Sequence, residues 1–209
     1  MAVTLAPMHS RDRRYHHGDL RAALLSRAEQ TLREKGPAAL SLRELARDLG
    51  VSHAAPSRHF KDKQALLDAL ALTGFERMAD VLEASQESVE ETFAARIDAV
   101  VHAYVGFAQE NAVLLDLMYS VKHDPTASED LVVAVGRWSE IVELLVEEGQ
   151  RSGEVREGPM ERVGLTVFAV LHGYADLAAA GMLPPEVTEH GLDEVIAFIL
   201  RGSAPDRPS

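Results

Sequence analysis

The side chains best placed to do chemistry in this sequence crowd into residues 41–63, SLRELARDLGVSHAAPSRHFKDK. Arg43, Arg58, Lys61 and Lys63 supply positive charge, and Ser52, His53, Ser57 and His59 supply short hydrogen-bonding groups beside the small Ala54. Cationic heads pair with phosphate oxygens, while imidazole and hydroxyl groups suit the edges of bases. The chemistry of such a set is recognition of a polyanion, not bond making. A second set is scattered over otherwise apolar helical stretches: His102, Tyr104, Met118, Tyr119, Trp138, His172 and Tyr174. An apolar cavity with a few convergent polar groups is what a small-molecule site presents. Each of these residues taken alone also reads as an ordinary core or surface side chain. The acidic surroundings and scarce aromatics favour a cationic or uncharged amphiphile as the ligand. His172, next to Gly173, reads equally as part of a close helix–helix contact between subunits.

Bond-making constellations are missing. The sequence has no cysteine, which removes disulfides, thiolate metal sites and cysteine nucleophiles. It has no G-x-S-x-G, no H-E-x-x-H, no P-loop and no Gly-x-Gly pattern. His16, His17, His53 and His59 invite a metal reading, but adjacent His16 and His17 point to different faces of a helix, and the Glu-x-x-His repeats of a di-metal bundle are absent. The reading is of a protein that is not an enzyme and takes neither metal nor cofactor.

The elements that must position these residues read as helices throughout, so the fold class is all-α. Leu20, Leu24, Ala28 and Leu32 recur at helical spacing over 17–35, and Gly36-Pro37 stops that helix. Ser41 and Glu44 have the spacing of a capping box opening a short helix with Leu42, Leu45, Ala46 and Leu49 on one face. Ala46 must be small where a second helix crosses, and Gly50 sits where the tight turn needs a positive φ. Ser52 is expected to cap that second helix, running to Phe60, and Asp62 a long one to about residue 87. Pro56 lacks an amide donor and biases Ala55 away from the α region, so the second helix starts late or irregularly. Further helices are expected at about 91–110, 111–121, 127–151, 159–182 and 187–201, about nine in all.

The 209-residue chain carries 21 Lys+Arg against 33 Asp+Glu, a net charge of −12, which argues against a nucleic-acid partner only if the charge is uniform. It is not: residues 1–63 carry a net of +5 and residues 64–209 a net of −17. A basic head on an acidic body is the footprint of a nucleic-acid reader. No apolar signal segment opens the chain, and the apolar run from Leu165 to Leu183 is interrupted by His172, Asp176 and two glycines. That run reads as a buried helix of an oligomer and not as a membrane span, so a cytoplasmic location is expected.

The stretch from about His16 to Leu82 resembles the DNA-binding domain of the tetracycline-repressor (TetR) family. The matching residues are Leu24, Ala28, Gly36, Leu42, Leu45-Ala46, Gly50-Val51-Ser52, His59-Phe60-Lys61-Asp62-Lys63 and Leu66-Leu67. Phe168-Ala-Val-Leu-His172-Gly173 is similar to the Trp-x-x-x-His-Gly element of the WHG-type regulatory domain in one branch of that family. Two departures stand out: Ser57 occupies a position that is usually a phosphate-contacting tyrosine, and Ala54-Ala55-Pro56 makes an unusual first turn.

The resemblance implies a homodimer that grips a pseudo-palindromic double-stranded operator and is released by a small molecule, most commonly as a repressor. The organisation expected is a flexible basic arm (1–15), a helix-turn-helix domain (16–63), a ligand-binding and dimerisation domain (64–201) and a disordered tail (202–209). His53 and Ser57 are expected at base edges, and Arg43, Arg58, Lys61 and Lys63 at phosphates. Arg11, Arg13 and Arg14 either follow the DNA or form a solvated tail. Dimerisation is expected through helices about 159–182 and 187–201. The alternative is a module of the same fold that binds a ligand or a protein partner without specific DNA binding.

Overall fold

The computed structural model describes residues 17–205. Among the described residues the chain is all-helical, with eight α-helices and two 3-10 turns. The helices are α1 (His17–Lys35), α2 (Leu42–Asp48), α3 (Lys63–Ser85), α4 (Phe93–Glu110), α5 (Ala112–Val121), α6 (Glu129–Ser152), α7 (Met160–Ala179) and α8 (Pro185–Ser203). The basic arm with Arg11, Arg13 and Arg14 lies outside the described residues, as do Asp206–Ser209.

The long helix α3 organises the molecule, packing on α1 at one end and on α4, α5 and α6 along its length. Its buried residues Leu66, Leu70, Phe75, Met78 and Leu82 form the stripe that its spacing predicts. Burying each such side chain contributes about 1.5–3 kcal/mol. Asp62 caps the helix, accepting from the Ala65 amide at 2.8 Å. Gly74 lets α5 come close, because a Cβ there would lie 2.5 Å from the Met118 sulfur.

The head is a small core of Leu24, Ala28, Leu45, Ala46 and Phe60, all buried. Gly50 adopts φ +67, and the Val51 amide donates to the Ala46 carbonyl at 3.0 Å, closing the turn after α2. Arg27 of α1 reaches Asp48 of α2 at 2.8 Å and holds that carboxyl below its usual range.

Several expectations are corrected. Residues 52–60 form no α-helix; only Pro56–Arg58 coil, as a 3-10 turn. The bond that would open a helix runs from residue 56 back to the Ser52 carbonyl, and proline has no hydrogen to give. That carbonyl accepts instead from the Ala55 amide at 2.9 Å. Ala55 itself stays in the α region (φ −66, ψ −45), so the missing donor, not a shift of Ala55, interrupts the helix. Ser52 therefore caps nothing, and the Ser41 side chain makes no capping bond. At the other end, Gly202 and Ser203 complete α8 rather than opening a loose tail, and Ser203 is buried with its carbonyl accepting from the Arg156 amide at 2.8 Å.

α7 buries Val163, Val167, Leu171 and Ala175 against the body, and α8 buries Ile196 and Ile199. Their outer side remains apolar: Leu177 is 44% exposed and Phe198 51%. Among the described residues no helix is long and apolar enough to cross a membrane.

Candidate functional site

The first candidate surface is the basic head. Arg43 on α2, and Ser52, His53, Ala54, Ser57, Arg58 and Lys61 around the 3-10 turn, are exposed; His59 is half-buried and Phe60 is core. Ser41, Arg43, Arg47 and His53 line one open depression of about 630 Å³, so α2 and the turn present their polar groups to a common hollow. Arg43, Arg58 and Lys61 have no ion pair or hydrogen bond among the described residues, which leaves their charge free for a phosphate. Lys63 departs from expectation. Its amine donates to the carbonyls of Pro37 (2.8 Å) and Ala38 (3.4 Å), tying the start of α3 to the loop after α1.

Burying Pro56 inside the head is what turns Ser57 and Arg58 outward on so short a coil. A 3-10 turn presents about three residues per revolution, so this surface offers fewer side chains to a groove than a full helix. Nothing in the 41–60 pattern except the proline signals that shortening.

The second candidate is a cavity of about 460 Å³, open on one side and lined by α3, α4, α6, α7 and Lys122 at the end of α5. That volume falls within the ~300–1,000 Å³ of small-molecule pockets. Leu82, Ile97, Val100, Val142, Leu165, Val167 and Leu171 make its apolar wall. Tyr104, Trp138, Phe168 and Lys122 supply the aromatic and polar lining.

Of the seven residues singled out for a ligand, Tyr104 and Trp138 line the cavity. His172 stands behind it, stacked on Phe168 with 5.2 Å between ring centroids and 13° between planes. Met118 is fully buried against Gly74 in the α3–α5 contact. His102 is a correction: it lies on the exposed face of α4, its Nδ1 3.0 Å from the Asp98 carbonyl one turn back. Tyr119 joins the aromatic cluster from α5, edge-on to Trp138 at 6.5 Å. Tyr174 lies apart, beside Gly191 of α8. Gly173 is exposed with no neighbour near, so any close approach it serves is to another molecule.

Tyr104 is held by two bonds, its hydroxyl 2.8 Å from His172 Nδ1 and 3.2 Å from the Tyr119 hydroxyl. Burial disfavours both phenolates, raising Tyr104 well above the ordinary tyrosine range and pushing Tyr119 up to about 12.

Sequence reasoning missed Lys122 and Phe168 as cavity residues. Lys122 follows the last residue of α5, and its amine lies over the rings of Tyr119 (4.2 Å), Phe168 (5.8 Å) and Trp138 (6.0 Å). A lone lysine ending an apolar helix is the signal that was there to read.

Hydrogen bonds join the loop after α5 to the start of α3. Just beyond Lys122, Asp124 accepts from the Gln64 amide nitrogen at 3.3 Å, and Asp68 accepts from Ser128 at 2.6 Å through the hydroxyl and 3.0 Å through the amide. The α5–α6 loop is thereby fastened to the first turns of α3, next to Lys63.

Among the described residues there is no group of three or more histidine, aspartate or glutamate side chains placed to hold a metal ion.

Residues 24–70 match the family model described as bacterial regulatory proteins, tetR family, and residues 97–201 match that of the tetracyclin repressor-like C-terminal domain. The HTH-type transcriptional regulator Rv1816 of Mycobacterium tuberculosis is 28% identical over 108 residues, covering 51% of this chain and 46% of that protein. The HTH-type transcriptional regulator Mb1846 of Mycobacterium bovis matches to the same extent. The chain thus spans about half the length of the curated relatives it matches. Among solved structures, a protein of unknown function from Rhodococcus sp. RHA1 is 46% identical with a TM-score of 0.81, over 92% of this chain and 100% of that one. The TetR family transcriptional regulator PfmR from Thermus thermophilus shares the fold at 23% identity and a TM-score of 0.66, over 86% of this chain and 97% of that one.

Proposed function

The chain belongs to the TetR family of bacterial transcription regulators, a family of DNA-binding proteins and not an enzyme class, and from that premise we propose that it is a cytoplasmic, ligand-responsive repressor acting as a homodimer on a pseudo-palindromic operator. The carrying observation is the juxtaposition of a head with unpaired cations and a body with an aromatic-lined cavity, joined by one long helix. Arg43, Arg58 and Lys61 hold phosphates, and His53 and Ser57 face base edges. The exposed apolar side of α7 and α8 supplies the dimer contact, setting two heads at one operator.

Release runs through the loop after α5. A ligand that displaces Lys122 from its place over the rings shifts Asp124 and Ser128, and their bonds carry the shift to Gln64 and Asp68 at the start of α3. The two heads then change spacing, and operator affinity falls to the extent that the ligand prefers the new spacing.

One observation favours a second reading, a module of this fold without specific DNA binding: residues 52–60 offer a 3-10 turn where a recognition helix is expected. Selection of genomic fragments by the full chain separates the two. Enrichment of a fragment upstream of its own gene or a neighbouring one supports the repressor; no enrichment over random DNA rejects it in favour of the module.

A further inference from the structure

The cavity has an unbalanced set of polar groups. Lys122 has no ion pair and no hydrogen bond among the described residues; its only partners are aromatic faces, nearest that of Tyr119 at 4.2 Å. Half-buried as it is, burial lowers its pKa from the ordinary lysine value, a sign that the charge lacks compensation. The indole nitrogen of Trp138, whose ring lies 6.0 Å from the same amine, is buried with no acceptor. The Lys122 amine faces the cavity with nothing to receive its charge, while the indole N–H is sealed away from it. The lining hydroxyls, by contrast, are engaged: Tyr104 with His172 and Tyr119, and Ser139 with the Val135 carbonyl at 3.1 Å. A buried donor without an acceptor is costly, and an occupant that supplies one removes the cost.

We propose that the effector is an amphiphile with a carboxylate head, the head seated at the Lys122 amine beside the aromatic rings and the apolar body along Val142, Leu165 and Leu171. This rests on the cavity being the effector site. It reverses the cationic preference that the acidic body suggests, and the reason is position. Glu143, Glu147 and Glu161 line the same cavity but are exposed, where water and salt screen them. Lys122 is the charge set among the rings, where screening is weaker. The glutamates form an acidic rim around a basic interior, so the occupant needs a single anionic end and an uncharged body. The cation–aromatic contacts of Lys122 are compatible with a bound carboxylate, which approaches from the open side of the cavity.

Trp138 is the only tryptophan of the chain, so its fluorescence reports this cavity alone. The experiment titrates the full-length protein with decanoate, decan-1-ol and decylammonium, which share a chain and differ in the head. Decanoate is expected to bind roughly tenfold more tightly than decanol, the scale of one charge-assisted hydrogen bond. Lys122→Met should erase that preference, so that decanoate binds no more tightly than decanol, and Lys122→Arg should keep it, which also controls for folding. Decylammonium binding tightest, or decanoate indifferent to Lys122→Met, overturns the carboxylate assignment while leaving the cavity as the effector site. No response of Trp138 to any of the three overturns the cavity reading itself, and the head-group assignment with it.

Discussion

The Tyr104 hydroxyl and His172 Nδ1 meet at 2.8 Å across 68 residues of sequence, joining α4 to α7 beside the cavity. The same hydroxyl lies 3.2 Å from that of Tyr119, so one oxygen ties three helices together. Tyr104→Phe keeps the ring and removes the link, depriving His172 Nδ1 and the Tyr119 hydroxyl of the partner they share. Urea denaturation should show a loss of about 1–2 kcal/mol. A change within a few tenths of a kcal/mol would mean that the three groups satisfy one another poorly in the wild type.

Alkaline pH should weaken the fold through the same pair. Tyr119 is pushed up from 10.0 to about 12 by burial, and Tyr104 is shifted in the same direction. A group whose folded pKa is raised contributes stability that is intact below its unfolded value and lost as pH climbs through the folded one. Lys122, held below 10.5 by burial, acts in the opposite sense up to that pH. The net decline therefore belongs to the window from about 10.5 to 12. Denaturation midpoints across that window should fall for the wild type and fall less for Tyr119→Phe; equal declines would refute the assignment.

Much of this is legible in the residues themselves. Leu66, Leu70 and Leu82 announce α3 by spacing, Asp62 announces its start, and Gly50 sits at φ +67 where the turn demands it. The basic head follows from counting charge on either side of Lys63. What escapes is non-local. That Tyr104 meets His172 depends on how α4 and α7 cross, and that His102 faces solvent depends on which side of α4 the body covers. Lys122 belongs to the cavity only because the end of α5 brings its amine over rings carried by α6 and α7. Lys63 leaves its expected role because its partners, the carbonyls of Pro37 and Ala38, are backbone atoms carrying no mark in the sequence.

The proline at 56 sets the shape of the DNA-facing segment. Pro56→Ala restores an amide able to reach the Ser52 carbonyl, and the 3-10 turn should lengthen by about one helical turn, ~4 residues. Circular dichroism should register the added helicity, and affinity for an operator fragment should rise with it. Unchanged helicity would show that burial in the head, not the missing donor, keeps this segment short.

An apolar outer face on α7 and α8 predicts a dimer that a charge dissolves. Phe198 is 51% exposed in the single chain. Two-fold symmetry places it in the interface twice, so each lost burial of about 1.5–3 kcal/mol counts double. Sedimentation should find a wild-type dimer and a monomeric Phe198→Asp. A wild-type monomer, or a dimer indifferent to the substitution, would remove α8 from the interface.

The central claim is that a chain of net charge −12 grips DNA through the unpaired cations of its head. Its most direct test is the slope of log affinity against log salt for an enriched operator fragment, measured for the wild type and for the double variant Arg58→Ala with Lys61→Ala. Each lost phosphate contact lowers the magnitude of that slope by about 0.9, so the double variant should be shallower by about 2 and bind more weakly at every salt concentration. An identical slope in the two proteins would contradict the account, because the charge that holds the DNA would then lie elsewhere.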